Sequence, residues 1–236
     1  MNKGTITNRE HFLQHIAKSL SRKLRRTDVT LERPQREYRP EQKVFATKSA
    51  AELLAIFKEA CKKIHTEVIE TTSGQLKDVL TSQLEVHGEG SVVIPEDERF
   101  WQYGLSSITE EDIVHTWDTS MGKDNIQFAE RAKTGIMFSD ITLAESATMV
   151  IFNDKDKARS IGLLPETFIG IIPQSMIVPR MTQASEIIDQ KIEQDETIAS
   201  CVNFISGPSN SADIEYNLVV GVHGPVQASY IVVTDK

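Results

Sequence analysis

Short apolar runs alternate with amphipathic segments from residue 49 to the end of the chain. The apolar runs are rich in β-branched residues, which is typical of strands buried on both faces of a sheet, and the segments between them have helical spacing. We predict helices over residues 49–63, 75–84, 123–132, 155–163 and 182–194. We predict strands over residues 65–71, 91–95, 112–117, 135–139, 147–152, 168–173, 176–178, 199–205 and 229–233. This order favours an α/β fold, with a mostly parallel sheet and helices on both of its faces.

The N-terminal residues are predicted to form a separate helical arm. Thr7-x-x-Glu10 fits a capping box, and the following residues place apolar side chains on one helical face. These side chains are Phe12, Leu13, Ile16, Ala17, Leu20 and Leu24. Residues 26–40 lose this periodicity and contain two prolines, so we expect an extended linker. We therefore divide the chain into an arm at 1–43 and one α/β domain at 44–236.

Charge is distributed unequally between these two parts. The whole chain has a net charge of −8, but residues 1–48 contain 12 Lys and Arg against 5 Asp and Glu, a net charge of +7. The rest contains 14 against 29, a net charge of −15. Opposite charges suggest that the arm lies on its own domain or on a neighbouring copy, giving a homo-oligomer. A nucleic-acid-binding arm is the competing interpretation, but so acidic a body would repel phosphate, and we predict no nucleic-acid partner.

Several classes of protein are excluded by what the sequence lacks. It has no signal-peptide pattern and no apolar run of 18 residues, so we expect a cytoplasmic protein without a membrane span. It has no phosphate-binding P-loop and no Gly-x-Ser-x-Gly motif of the serine hydrolases. Gly88-Glu-Gly90 precedes a strand instead of opening a helix, so it is not a dinucleotide-binding motif. Cys61 and Cys201 are too few for an iron–sulfur cluster. The pair His11-x-x-x-His15 has no third ligand nearby. We therefore expect neither a cofactor nor a metal.

One candidate site segment is G-I-M-F-S-D-I-T-L-A-E-S-A-T-M-V-I-F, residues 135–152. Asp140 ends the first predicted strand, and Glu145-Ser-Ala-Thr148 precedes the second. Carboxylates and hydroxyls at strand ends commonly contact ligands in α/β sheets. The alternative is that Asp140 and Glu145 cap turns and bind loop amides.

The other candidate segment is S-G-P-S-N-S-A-D-I-E-Y-N-L-V-V-G-V-H-G-P, residues 206–225. We expect a small-residue loop at Gly207 and then a helix with its apolar face at Ala212, Leu218, Val219 and Val222. Ser209 or Ser211 is the expected N-cap. A strand, a loop and a helix start form the geometry of an anion site.

Acidic residues and a histidine modify this interpretation. Asp213 and Glu215 would lie in the first turn of that helix and would oppose a phosphate, so a hydroxyl or amide contact to a polar ligand is favoured. Gly224 would end the helix in a left-handed cap. His223 would either bind the last carbonyls of the helix or, as a group that titrates near neutral pH, transfer a proton.

We predict that the two segments are two walls of one polar ligand site. Glu145 and His223 are the candidate catalytic residues. The candidate ligand-binding residues are Asp140, Ser146, Thr148, Gly207, Ser209, Ser211, Asp213, Glu215 and Gly224. Helix and turn capping is the alternative explanation for the hydroxyls and for Gly224.

In combination, G-P-S-N-S-A-D-I-E, G-V-H-G-P and A-E-S-A-T resemble the lactate-utilisation protein C family of bacteria, a resemblance that covers the whole chain. The family usually reads Glu-Thr-Gly-Thr where this chain has Glu145-Ser-Ala-Thr148, and a basic residue and Thr where it has Asn210-Ser211. The resemblance implies a fold like that of the sugar-phosphate isomerases and coenzyme A transferases. It also implies a role in oxidising L-lactate to pyruvate beside partner proteins that carry iron–sulfur clusters.

Three functional hypotheses follow. The chain is a non-redox subunit of the lactate-oxidising system, a stand-alone enzyme or ligand-binding protein of the isomerase and transferase-like fold, or a nucleic-acid-binding protein using its basic arm. Co-purification with cluster-bearing partners would favour the first, and turnover of a sugar phosphate or acyl-coenzyme A the second. Steeply salt-dependent affinity for DNA would favour the third.

Overall fold

The computed structural model describes residues 7–24, 38–194, 199, 201–214 and 216–236. The chain divides into two compact units, Met1–Arg39 and Pro40–Lys236. In the first unit, helix α1 spans Arg9–Ser19. Most of the predicted linker, residues 25–37, lies outside the described residues.

The predicted capping box at the start of α1 is wrong. The N-cap is Asn8, with a left-handed φ of 60°, and no side chain caps the helix. Thr7 therefore lies one residue before the cap position, where its hydroxyl cannot take the role that the pattern assigned to it.

The second unit contains the other helices and all the strands that the described residues form. Its helices are α2 (Pro40–Lys43), α3 (Ala50–Lys63), α4 (Leu76–His87), α5 (Arg99–Gln102), α6 (Ser106–Thr109), α7 (Lys123–Arg131), α8 (Ser160–Leu163) and α9 (Met181–Glu193). The strands are β1 (Glu67–Thr71), β2 (Val92–Ile94), β3 (Val114–Thr116), β4 (Thr134–Phe138), β5 (Ile141–Leu143), β6 (Thr148–Asn153), β7 (Thr167–Pro173), β8 (Ile177–Val178), β9 (Cys201–Ile205), β10 (Asn210–Ile214), β11 (Asn217–Val220) and β12 (Gln227–Val233). None of the helices in the described ranges is long and apolar enough to cross a membrane.

A six-stranded sheet forms the centre of this unit, in the order β1-β12-β7-β4-β2-β3. Every neighbouring pair in it is parallel. The side chains of its strands alternate between two cores, as in β4, where Met137 faces one core and Ile136 and Phe138 face the other. The predicted α/β fold with a mostly parallel sheet is therefore confirmed.

The two faces of this sheet are covered differently. Residues of α4, α5 and α6 pack on one face, including Leu80, Phe100 and Ile108. Residues of α3, α7 and α8 pack on the other face, together with a second, four-stranded sheet. This small sheet has the order β8-β5-β6-β9, and its β5–β6 and β6–β9 pairs are antiparallel. Helix α9 covers its outer side through Ala184 and Ile187.

The small sheet approaches the large sheet closely at Gly170 in β7. A Cβ atom at this position would lie 2.1 Å from Sδ of Met149 and 2.9 Å from the ring of Tyr230. Real Cβ atoms do not come this close to other heavy atoms, so any other residue at this position would force the Met149 side chain and the Tyr230 ring to move.

Some predicted elements differ from the observed ones. The predicted helix at 155–163 is confined to α8, because the chain before it is tied into a turn in which Asp154 accepts hydrogen bonds from the backbone N–H groups of residues 156 and 157. The strand β5 and the short helices α5 and α6 were not predicted. Each has only three or four residues, too few for a periodic pattern.

The buried imidazole of His87, at the end of α4, leads to a prediction about pH. Its Nε2 lies 2.8 Å from Oγ of Ser229, and its Nδ1 has no hydrogen-bond partner among the described residues. Burial, and to a smaller extent the charge of Lys133, lower the pKa of His87 to about 4. An unfolded histidine has a pKa near 6.5, so protons bind preferentially to the unfolded chain between these values.

The free energy of unfolding should therefore be highest above pH 6.5 and should decrease by about 2–3 kcal/mol as the pH falls to 4. Urea unfolding at a series of pH values measures this decrease. The variant His87→Gln should flatten the profile in this window. An equally steep profile in that variant would assign the pH dependence to other groups.

Candidate functional site

The segment after β9 forms a loop and a β-hairpin, so the predicted helix over this region is wrong. Strands β10 and β11 pair antiparallel across a turn in which Tyr216 has a φ of 60°. The apolar residues Leu218, Val220 and Val222 recur at every second position, the period of a strand. This period, together with the β-branched valines, outweighs the helical spacing on which the prediction was based.

The residues assigned to the start of that helix consequently have other positions. Ser209 precedes β10, and Ser211 lies buried within it, so neither caps a helix. The backbone of Asp213 is part of β10, and Glu215 lies outside the described residues.

The turn at Gly207 is fixed by a buried tyrosine of the large sheet. Tyr230 is fully buried, and its Oη accepts a hydrogen bond from the N–H of Gly207 at 2.8 Å and donates one to the carbonyl of Ile205 at 3.3 Å. Burial raises the pKa of this hydroxyl, which therefore stays protonated and able to donate. Gly207 has a φ of +68°, and a Cβ there would lie 2.7 Å from Oγ1 of Thr66. Glycine is required both by the backbone conformation and by the lack of space.

Ser209 connects the loop to the returning chain after the hairpin. Its N–H donates to the carbonyl of Pro225 at 2.8 Å, and its own carbonyl accepts from the N–H of Gly221 at 3.0 Å. Its Oγ accepts from the N–H of His223 at 3.2 Å. Gly224 is not the predicted left-handed cap, because its φ is not positive. It lies instead against Ser209, whose Cβ would be 3.3 Å from an added side chain.

A cavity of about 230 Å³ lies inside this loop. It is lined by Gly162, Leu163, Phe168, Phe204, Ile205, Ser206, Gly207, Pro208, Ser209, Asn210, His223, Gly224 and Pro225. Phe168 is the second residue of β7, and Pro225 comes shortly before β12, so the cavity lies at the amino-terminal edge of the parallel sheet. The exposed His223 contributes to its wall.

The carboxylates of the other segment lie elsewhere and have partners. Asp140 Oδ1 is 3.0 Å from Nη2 of Arg99, and its Oδ2 accepts a hydrogen bond from the N–H of Phe152 at 2.7 Å. Glu145 Oε2 is 2.6 Å from Nε of Arg180. The two acids lie at opposite ends of the β5–β6 hairpin, and neither of them lines the loop cavity.

A hydrogen bond at Ser146 joins the two segments. The carbonyl of Ser146 accepts a hydrogen bond from Oγ of Ser206 at 3.0 Å, and Oγ of Ser146 lies 2.7 Å from Oγ1 of Thr148. The segments meet here because β9, which leads to Ser206, pairs with β6 in the small sheet. The structure therefore brings Gly207, Ser209, His223 and Gly224 around one cavity, with Ser146 near its edge.

Sequence reasoning missed the basic partners of these acids. Arg99 is bound by both Asp97 and Asp140, with Nη2 at 2.6 Å and 3.0 Å from their oxygens, and its Nη1 donates to the carbonyl of Ser139 at 3.0 Å. Burial alone would raise the pKa of Asp97, but hydrogen bonds and charge from Arg99 outweigh it and lower that pKa. The Asp97-x-Arg99 sequence directly after a buried strand is the signal that could have identified this pair.

Few kinds of chemical group line the loop cavity. Its polar groups are serine hydroxyls, an asparagine amide, backbone groups and one imidazole, which can orient a small polar molecule and move a proton. No group of three or more His, Cys, Asp or Glu side chains within the described ranges is arranged to hold a metal ion.

An all-parallel sheet covered by helices and by a smaller mixed sheet, with a polar loop cavity at one edge, defines an α/β protein with two packed sheets. The family model of the LUD domain matches residues 43–233. This chain belongs to the LUD domain family.

Curated relatives match the chain over its full length. It is 51% identical over 242 aligned positions to a protein of Geobacillus thermodenitrificans (strain NG80-2) and to one of Bacillus subtilis (strain 168), each named "Lactate utilization protein C". A protein of the same name from Macrococcus caseolyticus (strain JCSC5402) is 45% identical over 236 positions. In all three cases the alignment covers 100% of both chains.

A solved structure shares the fold. The crystal structure of a DUF162 family protein from Deinococcus radiodurans superposes with a TM-score of 0.55 and 16% identity. The match covers 79% of this chain and 99% of that one.

The hydrogen bonds of Tyr230 should stabilise the loop measurably. The variant Tyr230→Phe leaves the N–H of Gly207 and the carbonyl of Ile205 without this partner, and we expect the free energy of unfolding to fall by about 1–3 kcal/mol. Guanidinium unfolding measures the change. Tyr103→Phe is the matched control, since no described residue is within hydrogen-bonding reach of that hydroxyl, and a comparable loss in the control would contradict the role of Tyr230.

The backbone of Ala147 is left-handed, with a φ of 52°. This conformation costs alanine about 1–2 kcal/mol, which Ala147→Gly would relieve. The variant also loses a buried methyl group worth about 0.8 kcal/mol and gains chain entropy on unfolding. We expect these effects to offset each other to within about 1 kcal/mol in urea unfolding.

Ala144→Gly is the control, because Ala144 is equally buried and its backbone is not left-handed. In Ala144→Gly, no relief of backbone strain offsets the lost methyl group and the added entropy of the unfolded chain, and the free energy of unfolding should fall by about 1–2 kcal/mol. Equal losses in the two variants would show that the left-handed backbone of Ala147 carries no strain.

Proposed function

We propose that this chain is a non-redox component of a bacterial L-lactate utilisation system and contributes to the oxidation of L-lactate to pyruvate. The observation that carries the proposal is identity of 51% over the full length to relatives named for lactate utilisation. At this identity, with no part of either chain left unmatched, a shared role is the simplest interpretation.

The electrons are transferred by partner proteins in this proposal. Cys61 is buried and Cys201 half-buried, both are free thiols, and two cysteines cannot supply the four ligands that such clusters normally use. Burial raises the pKa of Cys61 to about 12, so this thiol is a poor ligand. We infer that iron–sulfur proteins act with this chain and that the system works in the cytoplasm.

The loop cavity is the proposed contact with substrate or partner. Serine hydroxyls and backbone groups bind a small hydroxy acid through its hydroxyl and carboxylate, and His223 is the group available to move a proton. Glu145, paired with Arg180, does not line this cavity, but it lies in the same turn as Ser146, and we propose that it belongs to the polar surface beside the cavity.

The N-terminal arm, residues 1–43, is proposed to dock on a second copy of the chain. Its net positive charge and its apolar helical stripe complement an acidic domain at 44–236.

Deletion of this gene alone, followed by growth on L-lactate as the only carbon source, tests the role. We expect the deletion strain to fail on L-lactate and to grow normally on glucose. The wild-type gene should restore growth, and the tagged protein should co-purify with iron-containing partners. Normal growth of the deletion strain on L-lactate would overturn the proposal.

Complementation with Glu145→Gln, Asp213→Asn and His223→Gln then tests the site. A ligand contact predicts near-normal unfolding free energy with growth abolished, whereas a purely structural role predicts growth that falls only in proportion to stability. His65→Gln is the control, since His65 is exposed and does not line the loop cavity. Full growth of all three stable variants would show that the site is elsewhere.

A further inference from the structure

The carboxyl-terminal edge of the large sheet contains a change of winding direction. The connection that leaves β2 runs outward to β3, whereas the connection that leaves the neighbouring β4 leads away on the other side to β7. In open α/β sheets, ligands bind in the crevice outside the carboxyl ends of such strands. This edge is opposite to the one that carries the loop cavity.

Arg99 occupies the point between the ends of β2 and β4. It binds Asp97 after β2 and Asp140 after β4, and its guanidinium lies 5.1 Å from the centre of the Phe138 ring. All its strong contacts are within the protein, so it holds the two strand ends together and is not available to bind an anion.

Beside this cluster lies a cavity of about 630 Å³, within the size range of small-molecule sites. The ends of β2 and β3 form its base, with Thr116 as the last residue of β3, and the chain of α5 and α6 forms its walls. Asp97 belongs both to its wall and to the Arg99 cluster, so this wall is held by an ion pair.

The charge of the lining is of one sign. Glu96, Asp97 and Glu98 line the cavity, and none of the described residues that line it is a lysine, arginine or histidine. Arg99 neutralises Asp97, but neither Glu96 nor Glu98, both exposed, forms an ion pair with a described residue. Trp101, in the same wall, is 76% exposed, an unusual position for so large an apolar ring.

We propose that this cavity binds a small organic cation, an amine whose ammonium group is attracted by Glu96 and Glu98 and by the face of the Trp101 indole. Carboxylates supply the charge, and an exposed indole is the best aromatic partner for a cation. Hydroxyl groups on the ligand can bond to Ser106 and Thr116, which also line the cavity. The carboxylates of Glu96 and Glu98 repel the anion L-lactate, so the ligand of this cavity is a different molecule. The proposal for this cavity therefore does not depend on the proposed role in lactate utilisation.

Titration of the full-length protein at low salt with choline and with putrescine tests the proposal, using indole NMR signals as the readout. At least one of these cations should shift the Trp101 signal saturably at concentrations of about 10 mM or below. Uncharged 3,3-dimethyl-1-butanol, which has the shape of choline, and L-lactate should not. Trp101→Ala assigns the signal, and the unfolding free energy of each variant is measured alongside.

The double variant Glu96→Gln, Glu98→Gln should weaken cation binding by about tenfold. Glu110→Gln, an exposed glutamate in the same connection but outside the cavity, should bind as the wild type does. The proposal is overturned if neither cation saturates the signal, if the uncharged analogue binds equally well, or if the stable double variant binds like the control. Failure of the deletion strain to grow on L-lactate has no bearing on these outcomes.

Discussion

The close contact between the two sheets at β7 depends on the absence of a side chain at Gly170. Met149 of the small sheet and Tyr230 of the large sheet both reach the space that a Cβ would occupy there. Through this contact the large sheet packs against β6, and β9 pairs with β6. The loop that leaves β9 lies beside the hydroxyl of Tyr230, which binds it directly. Tyr230 therefore takes part both in the packing of the two sheets and in holding a surface loop.

The sequence was sufficient for the class of fold but not for the division into two sheets. Buried strands such as β4 and β7 are continuous apolar runs with helices between them, and that pattern has few solutions. Membership of a strand in one sheet or the other depends on pairing between distant residues, as when Asn153 pairs with Cys201. Local patterns carry no information about such pairs. The sequence therefore could not show that Asp140 follows a strand of the large sheet, whereas Ser206 follows a strand of the small one.

The candidate site shows the same limit at the level of single residues. Glycine and serine in the 206–225 segment were recognised, and the structure places Gly207, Ser209, His223 and Gly224 around one cavity. The acids were recognised too, but their partners were not. Arg99 lies 41 positions before Asp140, and Arg180 35 positions after Glu145. From the sequence alone, an acidic residue that pairs with a distant arginine cannot be distinguished from one that binds a ligand.

The order in which the chain visits the two sheets has a consequence for folding. The chain completes β4 in the large sheet, builds β5 and β6 in the small one, returns for β7, leaves again for β8 and β9, and adds β12 last. Neither sheet is formed by one contiguous segment of the chain, so the chain cannot be divided at one position into a part with each sheet. We therefore expect the domain to lose both sheets in one cooperative transition, and its assembly to wait for the last strand to arrive.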